Sequence, residues 1–129
     1  MVTGIEHFGL VARDTTALKD WYCRVFGTTL AYDNGKTPPT YFVRFADGAL
    51  LEIYPMAEDS PVEAAGNKTR GLRHIALLVD DFAATVSALM AENVEVLDAP
   101  ATSATGVSTF FFRDPEGNIL HLIHRVQPL

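Results

Sequence analysis

The chain is poor in cysteine, since Cys23 is the only one among its 129 residues. One cysteine cannot form a disulfide within the chain, so the fold must be stabilised by a hydrophobic core, and this composition fits the reducing cytoplasm. Hydrophobic residues make up 48% of the sequence, which is enough for such a core and too much for a disordered chain. We therefore expect a folded cytoplasmic protein of one domain.

Long apolar runs and basic segments are also scarce. No apolar run approaches the ~20 residues that a membrane-spanning helix needs, and the N-terminus lacks the basic and apolar parts of a signal peptide. The formal net charge is −6, with 10 lysine and arginine residues against 16 aspartate and glutamate residues. Because nucleic acids and anionic membranes select basic surfaces, we expect neither as a partner, whereas a small-molecule substrate is compatible with this charge.

The sequence contains an internal repeat. The segment 5–11 resembles the segment 72–78, and this alignment sets His7 and His74 at positions that are 67 apart. The same offset relates three further pairs of identical residues: Asp14 and Asp81, Phe45 and Phe112, and Asp47 and Asp114. A repeat of this length is one supersecondary unit that is used twice.

The offset between the two halves is predicted to change to 69 where Pro115-Glu116 inserts two residues into the second half. With this offset, Gly48 matches Gly117, and Glu52 matches His121. The residue types that commonly bind metals therefore fall at equivalent positions in the two halves.

Hydrophobic periodicity predicts the same order of elements in both halves. In the first half the predicted order is a strand at 4–12, a helix from Asp14, and strands at 28–32, 40–45 and 49–54. In the second half it is a strand at 72–79, a helix from Asp80 or Asp81, and strands at 94–97, 108–112 and 119–123. The sequence thus predicts an α+β fold with two βαβββ modules, at about 1–56 and 72–129, joined by a linker at about 57–71.

Four residues with metal-binding side chains lie in these apolar strands: His7, Glu52, His74 and His121. Two histidines at equivalent positions of a repeat are unusual for unrelated core residues. A carboxylate inside the apolar segment 50–54 is costly to bury unless it is paired or bound to a metal. Three imidazoles and one carboxylate suit a first-row transition metal better than Mg²⁺ or Ca²⁺, which prefer oxygen ligands.

Strand alternation predicts which residues lie near these four side chains. We predict that four residues contact the substrate: Val11, Tyr54, Met56 and Leu78. Small residues, Gly9 and Ala76, follow each first-strand histidine by two positions and leave room for a ligand. His124 falls on the opposite face from His121 by parity, and we interpret it as a surface residue.

At these residues the chain resembles the vicinal oxygen chelate superfamily, which includes glyoxalase I, extradiol dioxygenases, fosfomycin and bleomycin resistance proteins, and methylmalonyl-CoA epimerase. The shared markers are a first-strand histidine in each half, the turn at 114–118, and a ligand four residues beyond each turn glycine. The resemblance covers nearly the whole chain. It implies a homodimer and a curved sheet around a central cleft, in which one divalent metal is held by four residues: His7, Glu52, His74 and His121.

The chain departs from the family pattern at three positions. His121 stands where most metal-binding members carry a glutamate, which is a candidate base in glyoxalase-like and epimerase-like members. Glyoxalase I tends to place an arginine and an asparagine that hold glutathione where this chain has Val11 and Met56. Apolar residues there argue against a glutathione-dependent lyase.

Three functions are compatible with this pattern. Four protein ligands leave two open positions on an octahedral metal, which favours an Fe(II) dioxygenase or oxidase acting on an aromatic diol or polyphenol, with Mn, Ni or Zn as other candidate metals. The first alternative is a redox-neutral lyase, isomerase or epimerase that uses Glu52 as its catalytic base. The second is a bleomycin-type drug-binding resistance protein without catalysis.

Overall fold

The structure is a computed structural model that describes residues 1–61, 66 and 68–129. These residues group into two compact units, Met1–Pro61 and Val62–Leu129. The predicted α+β class, with the βαβββ order used twice, is confirmed. The predicted module boundaries stay predictions, and residues 62–65 and 67 of the predicted linker lie outside the described residues.

The first unit contains one helix and four strands: β1 (His7–Ala12), α1 (Thr15–Phe26), β2 (Thr29–Asp33), β3 (Tyr41–Arg44) and β4 (Leu50–Pro55). The strand order in its sheet is β1-β4-β3-β2. Strands β1 and β4 are parallel, and the other neighbours are antiparallel. The parallel pair requires a long connection, which α1 and the two intervening strands supply.

Helix α1 covers one face of this sheet. Its N-terminus is capped by Asp14, whose Oδ1 accepts a hydrogen bond from the Ala17 N–H at 2.8 Å, and it ends at Gly27 in the left-handed conformation, with φ 66°. The core of the unit consists of buried side chains from α1 and three strands: Ala12, Leu18, Trp21, Tyr22, Tyr41, Val43, Leu51 and Ile53. The opposite face of the sheet is therefore available for a site.

The second unit repeats this arrangement: β5 (Ile75–Leu78), α2 (Phe82–Ala91), β6 (Val96–Thr102), β7 (Val107–Arg113) and β8 (Ile119–Arg125). The strand order is β5-β8-β7-β6, with β5 parallel to β8. Its core is formed by six buried side chains: Leu89, Phe110, Phe112, Ile119, Leu120 and Leu122. In the described part of the chain, no helix has the length and apolar character that crossing a membrane requires.

Strand pairing corrects the predicted alignment of the two halves. Phe42 on β3 pairs with Glu52 on β4, and Phe111 on β7 pairs with His121 on β8. Both turns therefore span the same number of residues, and Phe42 is the structural equivalent of Phe111. Two predicted equivalences are consequently wrong: Phe45 with Phe112, and Asp47 with Asp114.

The additional residues of the second half lie upstream of β7, and not in the turn that follows it. In the first unit Tyr32 pairs with Phe42, 10 positions later, whereas in the second unit Asp98 pairs with Phe111, 13 positions later. The change of offset therefore arises within the β6–β7 hairpin, whose pairing has two register irregularities, against one in the β2–β3 pairing. Identical residue types at the offset of 67 had suggested equivalent positions, and the strand pairing does not support that equivalence.

The turn at 114–118 is held together by hydrogen bonds to the side chain of Asp114. The buried Asp114 carboxylate accepts hydrogen bonds from the backbone N–H groups of Glu116 and Asn118, at 2.9 and 3.0 Å, and from the Asn118 side-chain amide. The backbone N–H of Gly117, with φ 90°, donates to the Asp114 carbonyl. These bonds fix the entry into β8 and thereby the position of His121.

Candidate functional site

In the first unit, His7 and Glu52 lie together on the sheet face opposite α1. His7 Nε2 lies 3.3 Å from Glu52 Oε2. Two nitrogen or oxygen ligands at ~2.1 Å from one transition metal, with an angle of about 90–110° between them, are themselves ~3.0–3.4 Å apart. The separation of His7 and Glu52 therefore fits two donors to a single ion.

The other ring nitrogen of His7, Nδ1, contacts the Glu6 carboxylate. A carboxylate at Nδ1 favours the tautomer in which Nδ1 carries the proton. In this tautomer Nε2 has a free lone pair, and this lone pair faces Glu52. The contact with Glu6 is the largest cause that raises the pKa of His7 above its ordinary value, and Glu52 adds to it. A lone pair and a carboxylate that face each other repel unless a cation lies between them, so this pair is suited to bind a proton or a metal ion.

In the second unit, His74 and His121 lie together on the equivalent sheet face. His74 immediately precedes β5, because this strand begins at Ile75 and not at residue 72, where the predicted strand began. The two imidazole rings are perpendicular, at 88°, and their centroids are 5.2 Å apart.

His121 is 8% exposed, and neither of its ring nitrogens has a hydrogen-bond partner among the residues that the structure describes. Buried polar groups are almost always paired, and leaving one unpaired costs about 1–3 kcal/mol. Burial lowers the pKa of His121, and the nearby His74 and Arg125 lower it further. The ring is thus held in its neutral form, which is the form that binds a metal.

Each pair of candidate ligands contacts a phenylalanine that was not predicted from the sequence. Phe42 contacts His7 edge to face, with centroids 5.3 Å apart at 77°. Phe111 contacts His74 in the same way, at 5.3 Å and 88°, and stacks on His121 at 4.0 Å and 10°. The only signal in the sequence was the offset of 69, which relates the two phenylalanines once the strands are correctly aligned.

The four predicted substrate-contacting residues are not equally placed. Val11 and Tyr54 are paired neighbours on β1 and β4, 44% and 38% exposed, and Leu78 on β5 is 78% exposed. Met56 follows the end of β4, is half-buried, and donates its backbone N–H to the Ala12 carbonyl at 3.2 Å. Their contact with a substrate stays a prediction.

His124 lies on the opposite face of β8 from His121, as strand parity predicted. Its interpretation as a surface residue is corrected, because the ring is half-buried and its Nδ1 donates to the Val79 carbonyl at 3.0 Å. This bond attaches the end of β8 to the end of β5. His124 is therefore a structural histidine.

In the part of the chain that the structure describes, no three histidine, cysteine, aspartate or glutamate side chains form a group that could hold a metal ion. The candidate donors instead occur as one pair in each unit, His7 with Glu52 and His74 with His121. The predicted set of four ligands stays a prediction.

Gly9 gives a direct test of the first pair. A Cβ atom at Gly9 would lie 3.3 Å from Tyr54 Cε1 and 3.7 Å from Glu52 Oε2. We expect Gly9→Val to displace both side chains and to weaken metal binding by about 10-fold or more, in line with changes beside metal ligands. Gly4→Val is the control, since a Cβ there has no neighbour within 4 Å. Isothermal titration of both variants with Zn²⁺ measures the effect, and equal affinities would contradict it.

The sequence matches the family model of the glyoxalase/bleomycin resistance protein/dioxygenase superfamily over residues 4–122. Among curated proteins, the mitochondrial methylmalonyl-CoA epimerase of Dictyostelium discoideum is 29% identical to this chain over 122 residues, which are 88% of this chain and 72% of that protein. The match therefore includes both βαβββ units.

Solved structures have the same fold. A glyoxalase/dioxygenase from Nostoc punctiforme superposes with a TM-score of 0.80 at 18% identity, over 96% of this chain and 92% of that one. The fosfomycin resistance protein FosX from Listeria monocytogenes, complexed with Mn(II) and sulfate, has a TM-score of 0.74 at 17% identity, over 98% of this chain and 93% of that one. With the repeated units and the match over nearly its whole length, the chain belongs to the glyoxalase/bleomycin resistance protein/dioxygenase superfamily, also called the vicinal oxygen chelate superfamily.

Proposed function

We propose that this protein is a metal-dependent enzyme in which one divalent transition metal is held by four residues: His7, Glu52, His74 and His121. The main support is His121, a buried imidazole whose two nitrogens have no hydrogen-bond partner among the described residues. A ring nitrogen that serves as a metal ligand needs no other partner, which would explain one of the two unpaired nitrogens. The 3.3 Å separation between His7 Nε2 and Glu52 Oε2 supports the same interpretation in the first unit.

The composition of this ligand set favours Fe(II). Three neutral imidazoles and one carboxylate leave a net charge of +1 on a divalent ion and two open positions if it is octahedral. Mn(II), Ni(II) and Zn(II) accept similar donors and are the alternatives. The structural likeness to FosX, a protein complexed with Mn(II), keeps manganese among them.

The reaction that we propose is the oxidation of an aromatic diol or polyphenol by O₂. A bound Fe(II) would supply redox activity and two neighbouring positions for oxygen atoms. Val11, Tyr54 and Phe42 give the face around His7 an apolar and aromatic character that suits a flat ring. Glu52 is the nearest carboxylate to His7 Nε2 and would accept the proton that a substrate hydroxyl loses.

A redox-neutral reaction is the second candidate, because the similarity to a methylmalonyl-CoA epimerase extends over 88% of this chain. An epimerase must remove a proton from one side of a carbon and return it on the other, which is done most simply by two bases. Glu52 is the only carboxylate in the proposed ligand set. His121 cannot be a ligand and a base through the same nitrogen, so we rank this reaction below oxidation.

A drug-binding function without catalysis is the third candidate, and the retention of both ligand pairs argues against it. We propose a small-molecule substrate and, from the family resemblance, a homodimer. The single cysteine agrees with a cytoplasmic location.

Metal titration tests this proposal. Protein purified without oxygen and freed of metal with a chelator is titrated with Fe²⁺, Mn²⁺, Ni²⁺ and Zn²⁺. We expect one ion to bind per chain, and binding to be lost in His7→Ala and His121→Ala. Failure of all four ions to bind the wild-type protein would contradict the proposal.

Glutathione adducts are expected to be poor substrates. Val11 and Met56 offer no charged partner to a glutathione carboxylate, and burial of an unpaired charged group costs several kcal/mol. We predict at least ~100-fold weaker binding of a glutathione adduct to wild type than to a Val11→Arg/Met56→Asn variant, as measured by isothermal titration. Efficient conversion by the wild-type protein would overturn this prediction.

A further inference from the structure

We propose that Phe111 is a positioning residue that orients His121 and His74, the ligand pair of the second unit. This inference rests on the proposed function, since it explains how one half of the proposed metal site is held ready for binding. Phe111 itself has no atom that binds a metal. It acts through the two imidazole rings that it contacts.

His121 lacks the usual means of orientation. A metal-binding histidine almost always donates its second ring N–H to a carboxylate, a carbonyl or a water, and this bond fixes the direction of the ring. Among the described residues, nothing accepts a hydrogen bond from either nitrogen of His121. The imidazole instead lies parallel to the Phe111 ring, at 10° and 4.0 Å between centroids. Rotation of the imidazole would drive its edge into the phenylalanine, so the stack restricts its direction.

Phe111 also restrains His74. This histidine precedes β5 and is exposed, so the sheet hydrogen bonds do not hold it in place. The His74 ring is perpendicular to both Phe111 and His121, with centroids 5.3 Å and 5.2 Å away. Perpendicular contacts of this kind are favourable between aromatic rings. Phe111 thus contacts both imidazoles: its ring is stacked on that of His121 and perpendicular to that of His74.

In the first unit the orientation of the histidine ring depends on a different contact, so the equivalent phenylalanine can serve as a matched control. Phe42 occupies the position equivalent to Phe111 and contacts His7 edge to face. The His7 ring is additionally held by Glu6, which contacts its Nδ1. The residue that corresponds to Glu6 in the second repeat is Arg73, whose guanidinium donates to the Gly71 and Arg70 carbonyls. Loss of the phenylalanine should therefore affect the second unit more than the first.

The test compares Co²⁺ affinity across variants of the full chain. Phe111→Leu removes the stack and keeps an apolar side chain, and we expect it to weaken Co²⁺ binding about 10-fold or more, the effect of removing a group that orients a ligand. Phe111→Tyr keeps the aromatic face and should restore the wild-type affinity and visible Co²⁺ spectrum. Phe42→Leu should weaken binding less than Phe111→Leu. Urea unfolding of the metal-free variants separates these effects from a loss of stability.

Two results would overturn the inference and leave the proposed function intact: Phe111→Leu binds Co²⁺ as tightly as wild type, or Phe42→Leu weakens binding equally.

If the wild-type protein binds no Co²⁺, the proposed function fails, and NMR of the metal-free protein decides the inference separately. Stacking on Phe111 should shift the His121 ring-proton signals, and Phe111→Leu should abolish this shift while Phe111→Tyr retains it. Unchanged His121 signals in Phe111→Leu would overturn the orienting role.

Discussion

Replacing His121 by leucine is expected to make the metal-free protein about 1 kcal/mol more stable while abolishing metal binding. The buried imidazole has two nitrogens without a partner among the described residues, and such groups cost about 1–3 kcal/mol. Leucine has a similar volume and no polar atom, although it loses the stack on Phe111, which is worth about 0.5–1.5 kcal/mol. The net gain should appear as a higher urea midpoint in the presence of a chelator.

His124→Leu is the control for this prediction, and its expected effect has the opposite sign. His124 lies on the same strand but faces away from the site, and its Nδ1 donates to the Val79 carbonyl. Loss of this hydrogen bond should destabilise the protein by about 1 kcal/mol and leave metal binding unchanged.

Zn²⁺ at 100 times its Kd should then stabilise wild type and His124→Leu by about 2.7 kcal/mol, and His121→Leu not at all. Equal destabilisation of the metal-free protein by the two substitutions would contradict the account.

The same histidine predicts the pH dependence of the metal-free protein. Because burial lowers the pKa of His121 below its ordinary value of 6.5, the folded state favours the neutral ring. This contribution is fully present above pH 6.5 and is lost as the pH falls from there through the lowered pKa. The raised pKa of His7 acts in the opposite direction. The difference between wild type and His121→Leu isolates the His121 contribution, so the variant should lose less stability on acidification.

Glu52→Gln is expected to cause a large loss of activity. Glutamine has the same shape, so the packing of β4 should persist, but it carries no negative charge toward His7 Nε2 and accepts a proton poorly. We expect turnover to fall by about 10²–10⁴-fold from loss of proton transfer, and metal affinity to fall as well. The control is Glu58→Gln, an exposed carboxylate beyond the end of β4. Steady-state kinetics with saturating metal measures the change, and retention of wild-type kcat by Glu52→Gln would exclude Glu52 as the base.

The secondary structure was predictable because apolar periodicity and helix caps are both local features of the sequence. Apolar periodicity marked the strands and helices, and caps such as Asp14 and Asp81 marked the helix starts. The repeat then fixed the class, because the same order of elements appears twice. The detailed alignment was not predictable, since it depends on register irregularities in the β2–β3 and β6–β7 pairings, which residue identity does not reveal.

Strand alternation made one part of the candidate site predictable, namely which side chains share a face of the sheet. Alternation put Glu52 on the face of His7, and the structure has these side chains 3.3 Å apart. It did not identify Phe42 and Phe111, because their contacts depend on cross-strand register, which a single sequence does not specify. It also could not reveal that both nitrogens of His121 are buried without a partner among the described residues, since burial of a given atom depends on tertiary packing.

A requirement for O₂ and a redox-active metal distinguishes the proposed oxidation from the redox-neutral reaction. The measurement is O₂ uptake and substrate loss with a panel of catechols, using metal-free protein that has been reconstituted with Fe²⁺ or with Zn²⁺, and repeating each assay under argon. We expect O₂-dependent turnover with Fe²⁺ and none with Zn²⁺, and His121→Ala should abolish the Fe²⁺ activity. For the redox-neutral alternative, methylmalonyl-CoA is supplied as substrate in the same assays. Full turnover of that substrate with Zn²⁺ or Ni²⁺ under argon would contradict the account and establish the redox-neutral reaction instead.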